Sequence, residues 1–354
     1  MSSLRILMIL LLTGGSAWSQ PGPDSAAIAA VVDTYRAAHG FSGTILVARH
    51  GQPIFRRSYG LAYRQTPDSL THTTPYSIAS VTKLFTSIRI LQLAEVGKVD
   101  LQAAATQYLP RFAPQVPAAV TVHHLLLHLS GLPNEKNRLY RRHLSAEEMV
   151  QKALTGRPAG PVGTFHYNNV DYLLLGLIIE AVTGKSWQEN IRQHILEPLG
   201  MTQSGFLAYG QYPRHFAFTY RKKGKQLKQD PLIHIENFGS AGCMYATAGD
   251  LLKLDQALYG EALLSAESRQ CLAQSYPEYN YAGYGVWNYR YPFVEAQPTI
   301  MERRGGILGA NVVLVRMMDD KHTLIILSHD DRFNPDSFGD EGNLREMLIR
   351  ALYE

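Results

Sequence analysis

Cysteine is scarce in this sequence. Two residues, Cys243 and Cys271, occur in 354, which excludes a disulfide framework and a cysteine-built zinc site. Both sit among apolar neighbours, so two buried free thiols are expected, with a single bridge between them as the other arrangement. A dominant charge is also missing. The 34 lysines and arginines are set against 30 aspartates and glutamates, for a net charge of +4. That balance excludes the basic footprint of a nucleic-acid-binding protein. The one dense basic run, Arg221-Lys222-Lys223-Gly224-Lys225, reads as a solvated hairpin or loop. Beyond the first residues there is no stretch of the ~20 apolar side chains that a membrane-crossing helix needs. His124 and His128 are one helical turn apart, but no H-E-x-x-H glutamate accompanies them. No metal and no cofactor is expected.

What is present begins with a leader. Arg5, the apolar run from Ile6 to Thr13 and the small residues up to Ala17-Trp18-Ser19 read as a secretory signal over residues 1–19. The mature chain is expected to be exported, periplasmic or extracellular, without a stable membrane anchor. Residues 20–354 then form one catalytic domain.

The periodicity of that domain changes twice. Ala26–His39 has helical apolar spacing, and Thr44–Ala48 and Ile54–Tyr59 read as a hairpin around a Gly/Pro turn. Ser80–Val96 is the strongest helix, with Val81, Leu84, Phe85, Ile88 and Leu91 on one face. The middle is helical, with candidates at Val122–Leu129, Ala146–Leu154, Val170–Val182 and Trp187–Ile195. A helix follows from Ala246 to Tyr259, where Thr247 and Asp250 are spaced as a capping box. Strands return at Tyr284–Tyr289, Thr299–Arg303, Asn311–Met317 and His322–Ser328, and Leu344–Leu352 closes the chain as a helix. An isolated hairpin is only marginally stable, so the strands of the two chain ends must meet. The expected fold is α/β of the α+β kind: one antiparallel sheet from both chain ends, flanked by the terminal helices. A helical subdomain is inserted at roughly 105–235.

Ser80 and Lys83 lie one turn apart at the start of the strongest helix, so their side chains share a face. A serine hydroxyl is a poor nucleophile until a base removes its proton. A lysine can be that base when burial lowers its pKa. Ile78, Ala79, Val81, Leu84 and Phe85 surround the pair with apolar side chains, an unexpected setting for a solvated lysine.

Further segments stand in order along the chain. Tyr76-Ser77-Ile78-Ala79-Ser80-Val81-Thr82-Lys83 resembles the nucleophile motif of the serine β-lactamase and penicillin-binding-protein superfamily. His124 to Leu132, Phe165-His166-Tyr167-Asn168-Asn169, Thr247 to Leu251 and Tyr284-Gly285-Val286-Trp287 resemble segments of its class C-like branch. The resemblance implies a β-lactamase/transpeptidase-like fold and a Ser80 acyl-enzyme, with Lys83 and Tyr167 handling the proton. It implies that Asn169 binds the substrate's amide or carbonyl, and that His124 and His128 are structural. The family's third motif is a Lys or His, a small residue and a glycine; here it is met by Arg303-Arg304-Gly305-Gly306. Either arginine can occupy the Lys/His position. With Arg303 there, Gly305 lets the strand approach closely and the Gly306 N–H joins that of Ser80 as the oxyanion hole.

The arginine is a departure. It cannot relay a proton, but it can hold a carboxylate, unless it is spent on a neighbouring acid. Efficient β-lactam hydrolysis is therefore in doubt, whereas acylation of Ser80 is not. The expected substrate is a small molecule or peptide, carboxylate-bearing in one version: an ester, a D-amino-acid peptide or amide, or a β-lactam. The other reading is an inactive, penicillin-binding-like sensor that kept the fold. Nothing in the sequence fixes the oligomeric state.

Overall fold

The computed structural model describes residues 23–354, so the leader read at 1–19 lies outside the described residues. The described chain opens with helix α1 (Pro23–His39) and a hairpin of β1 (Gly43–Arg49) and β2 (Gln52–Tyr59). Strand β3 (Tyr76–Ser77) leads through a 3-10 turn, Ala79–Val81, into α2 (Thr82–Glu95). The middle contributes α3 (Ala105–Tyr108), α4 (Val122–Leu126), α5 (Ala146–Leu154), α6 (Asn169–Thr183) and α7 (Trp187–Ile191). Next come β4 (Gly205–Phe206), β5 (Tyr220–Lys223), β6 (Gln226–Gln229), α8 (Gly239–Gly242) and β7 (Met244–Ala246). Helices α9 (Ala248–Ala257) and α10 (Ala266–Ala273) precede the last strands. These are β8 (Trp287–Arg290), β9 (Thr299–Ile307), β10 (Ala310–Met317) and β11 (His322–Ser328), followed by α11 (Leu344–Tyr353).

The two chain ends share one six-stranded sheet, in the order β2-β1-β11-β10-β9-β8. Every pairing in it is antiparallel, and β1 runs against β11 from Gly43 opposite Ser328 to Arg49 opposite His322. The central strands read as unbroken apolar runs because both of their faces are covered. Ile45, Val47, Val313, Val315, Leu324 and Ile326 face the terminal helices, meeting Ile28 and Val32 of α1 and Leu348 and Ile349 of α11. The alternate residues Leu46, Ala48, Val312, Leu314, Ile325 and Leu327 face the helical half. Each such side chain contributes about 1.5–3 kcal/mol on burial. A buried ion pair ties α9 to the sheet. The Asp255 carboxylate of α9 accepts from Arg316 Nε of β10 at 2.5 Å and from the Thr323 hydroxyl of β11 at 2.6 Å.

The boundaries differ from the sequence reading where the backbone does something local. Helix α4 stops at Leu126 because His128 adopts a left-handed φ of 60°. Helix α7 stops at Ile191 and passes into a π turn, Arg192–Leu196. Only half of the expected capping box forms at α9. The Thr247 hydroxyl accepts from the Asp250 N–H, but the Asp250 carboxylate turns away to the Gln203 N–H and the Ser204 hydroxyl. The basic run forms the β5–β6 hairpin, with Lys222 to Lys225 exposed. Both cysteines are free; Cys243 is buried, whereas Cys271 is only half-buried.

Candidate active site

The site lies where the helical half meets β9. Ser80 is carried by the 3-10 turn and not by the helix proper, and the residue before it, Ala79, is left-handed at φ 46°. A non-glycine residue held there stores of order 1–3 kcal/mol, kept in place by its surroundings. Those surroundings are buried: Ile78, Ala79 and Val81 are fully enclosed. Strand β9 presses on the same turn. A Cβ placed on Gly305 would lie 2.5 Å from the Ile78 carbonyl oxygen and 3.0 Å from the Ser80 nitrogen, so no side chain fits. Gly306, one residue on, is exposed, and a Cβ there would meet nothing closer than 3.6 Å.

Lys83 is fully buried on the first turn of α2. Its ammonium donates to Ser80 Oγ at 3.3 Å, to Asn169 Oδ1 at 2.7 Å and to the Ala241 carbonyl at 2.8 Å, which uses all three of its N–H bonds. Burial pulls its pKa down to about 8. The Tyr167 hydroxyl donates to Ser80 Oγ at 2.8 Å and accepts from Arg303 Nη2 at 2.6 Å. Burial raises the phenol, but the positive charges of Arg303 and Lys83 outweigh it and bring Tyr167 down to about 8.

The register of the third motif follows from strand alternation. Arg303 points to the Ser80 side of β9 and donates from Nε to the Ser80 carbonyl at 2.9 Å. Arg304 points to the other face, where it meets Glu302 and Asp336. Arg303 has no carboxylate partner among the described residues; Glu302 is spent on Arg304 and Arg345. It lies instead between two rings, its guanidinium carbon 5.3 Å from the centre of Tyr167 and 4.8 Å from that of Trp287. Nε and Nη2 are thus committed inside the protein, and the side chain is almost fully buried.

Hydrogen bonds join Ser80, Lys83, Tyr167, Asn169 and Arg303 here, Gly305 packs on the Ser80 turn and Gly306 is exposed beside it, whereas Arg304 and His124 lie elsewhere. Two further residues take part that were not expected as site residues. Glu135 Oε1 accepts from Asn169 Nδ2 at 2.7 Å and from the Tyr140 hydroxyl at 2.6 Å. Asn169 is therefore held between Lys83 and Glu135, more tightly engaged by the protein than a purely substrate-facing amide. Trp287 covers Arg303 and stacks 6.2 Å from Tyr167. Glu135 reaches the site by tertiary packing from a segment whose local pattern is ordinary, whereas Trp287 ends the family-like Tyr284-Gly285-Val286-Trp287 segment. His124 caps α4 through Thr121. The one group of metal-ligand type among the described residues is His143, His234 and Glu236. Both imidazoles hydrogen-bond one Glu236 oxygen, at 3.2 and 2.8 Å, so the trio is satisfied by itself and shares no residue with the Ser80 site.

The Beta-lactamase family model matches residues 28–348. Penicillin-binding protein 4* of Bacillus subtilis (strain 168) is 25% identical over 324 residues, covering 84% of this chain and 70% of that protein. Teichoic acid D-alanine hydrolase of Staphylococcus aureus (strain MRSA252) is 27% identical over 298 residues, covering 83% and 72%. Among solved structures, D-amino acid amidase from Ochrobactrum anthropi SV3 superposes with a TM-score of 0.80 at 22% identity, over 94% of this chain and 99% of that one, a likeness of fold. The sheet closed from both chain ends, and a family match that runs from its first helix to its last, make this chain a member of the β-lactamase family and a serine hydrolase.

Proposed function

We propose that the chain is an exported hydrolase that works through an acyl-enzyme on Ser80, with small D-aminoacyl esters and amides as its substrate class. The observation that carries this reading is the placement of Ser80 Oγ 2.8 Å from the Tyr167 hydroxyl and 3.3 Å from Lys83 Nζ. Both partners are brought close to neutrality by the environment. The D-aminoacyl class is supported by the relative named teichoic acid D-alanine hydrolase, and export by the apolar leader.

The steps follow from the hydrogen bonds. At pH 7 a phenol with a pKa near 8 is roughly one-tenth ionised, enough to supply a base. The Tyr167 phenolate takes the Ser80 proton as Oγ bonds to the substrate carbonyl carbon. Lys83, donating to Ser80, Asn169 and the Ala241 carbonyl, stays the cation whose charge favours the nearby phenolate. The oxyanion that develops is received by the N–H groups of Ser80 and Gly306. Its collapse breaks the bond to the leaving group, which takes the proton back from Tyr167. Water then repeats the sequence on the acyl-enzyme, with Tyr167 again accepting a proton and returning it to Ser80. Arg303 transfers nothing; its charge makes the phenolate accessible.

The test is an intact-mass measurement after exposure to an activated phosphonate, with Ser80→Ala alongside. One adduct on the wild type and none on the variant is expected. A folded wild type that takes no adduct would overturn the reading in favour of a non-catalytic binding protein.

A further inference from the structure

His128 is set apart by its backbone. It is 3% exposed and left-handed at φ 60°, at the point where α4 has ended and the chain reverses. A β-carbon-bearing residue is uncommon in that region and persists only when its contacts hold it there. Asp171 Oδ2 lies 3.7 Å from the His128 Nδ1, on a carboxyl that burial pushes well above the usual range; the other polar contacts lead to one segment. The His128 carbonyl accepts from the His166 N–H at 2.9 Å. Its Nδ1 accepts from the Asn168 N–H at 3.1 Å. Its ring lies 4.5 Å, centre to centre, from the ring of Tyr167 between them, and 5.1 Å from Tyr172 behind. The residues before and after Tyr167 are thus both tied to His128, and the phenol rests against its imidazole.

The chemistry of the imidazole fits this task. A nitrogen that accepts from a backbone N–H carries no proton, so the hydrogen is on Nε2, which is buried without a partner. The ring is a neutral wedge. Burial, then the charges of Lys83 and Arg303, hold its pKa well below the ordinary histidine value. A cation there would compete with both for the phenolate. The left-handed turn at residue 128 aims carbonyl and ring at the same segment, which no right-handed backbone would do.

We propose that His128 is the positioning residue for Tyr167, clamping the backbone on both sides of it and stacking on its ring so that the hydroxyl is held at once against Ser80 Oγ and Arg303. The proposal rests on Tyr167 acting as the base. Two variants test it, with steady-state hydrolysis of a small activated ester and a Ser80→Ala control. His128→Gly keeps the left-handed backbone and the carbonyl bond but removes the ring. It is expected to lower kcat about 10²-fold with little change in KM, as a small misplacement of a catalytic group does. The rising limb of its pH–rate profile is expected to move upward, because the phenol leaves Arg303. His128→Asn, which tolerates the same backbone and puts Oδ1 where Nδ1 lies, is expected to recover part of the rate. A long-range 15N NMR correlation on the wild type is expected to show an Nε2–H, non-titrating imidazole across the neutral range. If both variants fold and keep the wild-type kcat and pH profile, the clamp is wrong while the acyl-enzyme reading stands. If the wild-type activity survives Ser80→Ala, both fall. Should the glycine variant fail to fold, a wild-type imidazole that titrates in the neutral range would still overturn the clamp, because Nδ1 would then not accept from the Asn168 N–H.

Discussion

At the scale of single residues, the site shows how one charge can replace a proton relay. An arginine at a position where the family carries lysine or histidine cannot pass a proton. Here it donates at 2.6 Å to the phenol that can. The pH dependence follows with a definite sign. On the proposed mechanism phenolate is the active base, so kcat/KM is expected to rise as pH rises through about 8, the value to which Tyr167 is lowered. Because Tyr167 and Lys83 interact, the limb reports the pair. Arg303→Met removes the larger lowering charge and is expected to shift the limb up toward 10, the ordinary tyrosine value. Near neutrality the rate is expected to fall by at least tenfold. A pH–rate profile that does not move on this substitution would remove Arg303 from the account. Ser80 and Lys83 were legible from their spacing in apolar company, and Tyr167, Asn169 and Arg303 from their resemblance to the family's motifs. Glu135 was not, because nothing local marks a carboxylate that only tertiary packing brings to the site; Trp287 stood in a family-like segment, but its contact with Arg303 shows only in the fold.

At the scale of elements, the nucleophile turn depends on how closely β9 approaches it. Two adjacent glycines differ sharply in this respect. Gly305→Ala forces a methyl to within 2.5 Å of the Ile78 oxygen, so strand and turn must separate. It is expected to cost about 1–3 kcal/mol of stability and to abolish most acylation. Gly306→Ala meets nothing within 3.5 Å, and its melting temperature is expected to stay at the wild-type value. Thermal unfolding of the two variants side by side decides the point, and equal losses would contradict the packing described. Elements were legible where a single local signal sufficed. Helix α5 keeps the expected bounds Ala146–Leu154, and β11 matches its unbroken apolar run. The turn at Ala79–Val81 was read as plain helix, since its strain is imposed by neighbours distant in sequence. The end of α4 was missed for the same reason: His128 is held left-handed by residues 166–168, not by its own propensity.

For the whole molecule, the question is what keeps the helical half seated on the sheet. Apolar burial supplies most of the energy, but the Asp255–Arg316–Thr323 cluster is a polar tie that crosses the layers. Breaking a buried pair from one side leaves a charge without a partner. Asp255→Ala is therefore expected to destabilise by about 3–5 kcal/mol. Replacing the cluster as a unit, Asp255→Leu with Arg316→Met and Thr323→Val, is expected to cost far less. Chemical denaturation of both proteins would show it, and equal losses would mean that the pair acts through something other than its charges. The antiparallel closure of the sheet was foreseen from the separation of its strands in the chain, and it has a consequence in time. Strand β1 precedes β11 by the whole helical middle, yet each is the other's neighbour. Whenever folding begins before β11 is present, the β1–β2 hairpin keeps an open edge. The nucleophile turn, seated against β9, cannot take its strained shape before then either. Activity thus arrives all at once, with the last strands, and a nascent chain carries a complete Ser80–Lys83 motif long before it has an enzyme.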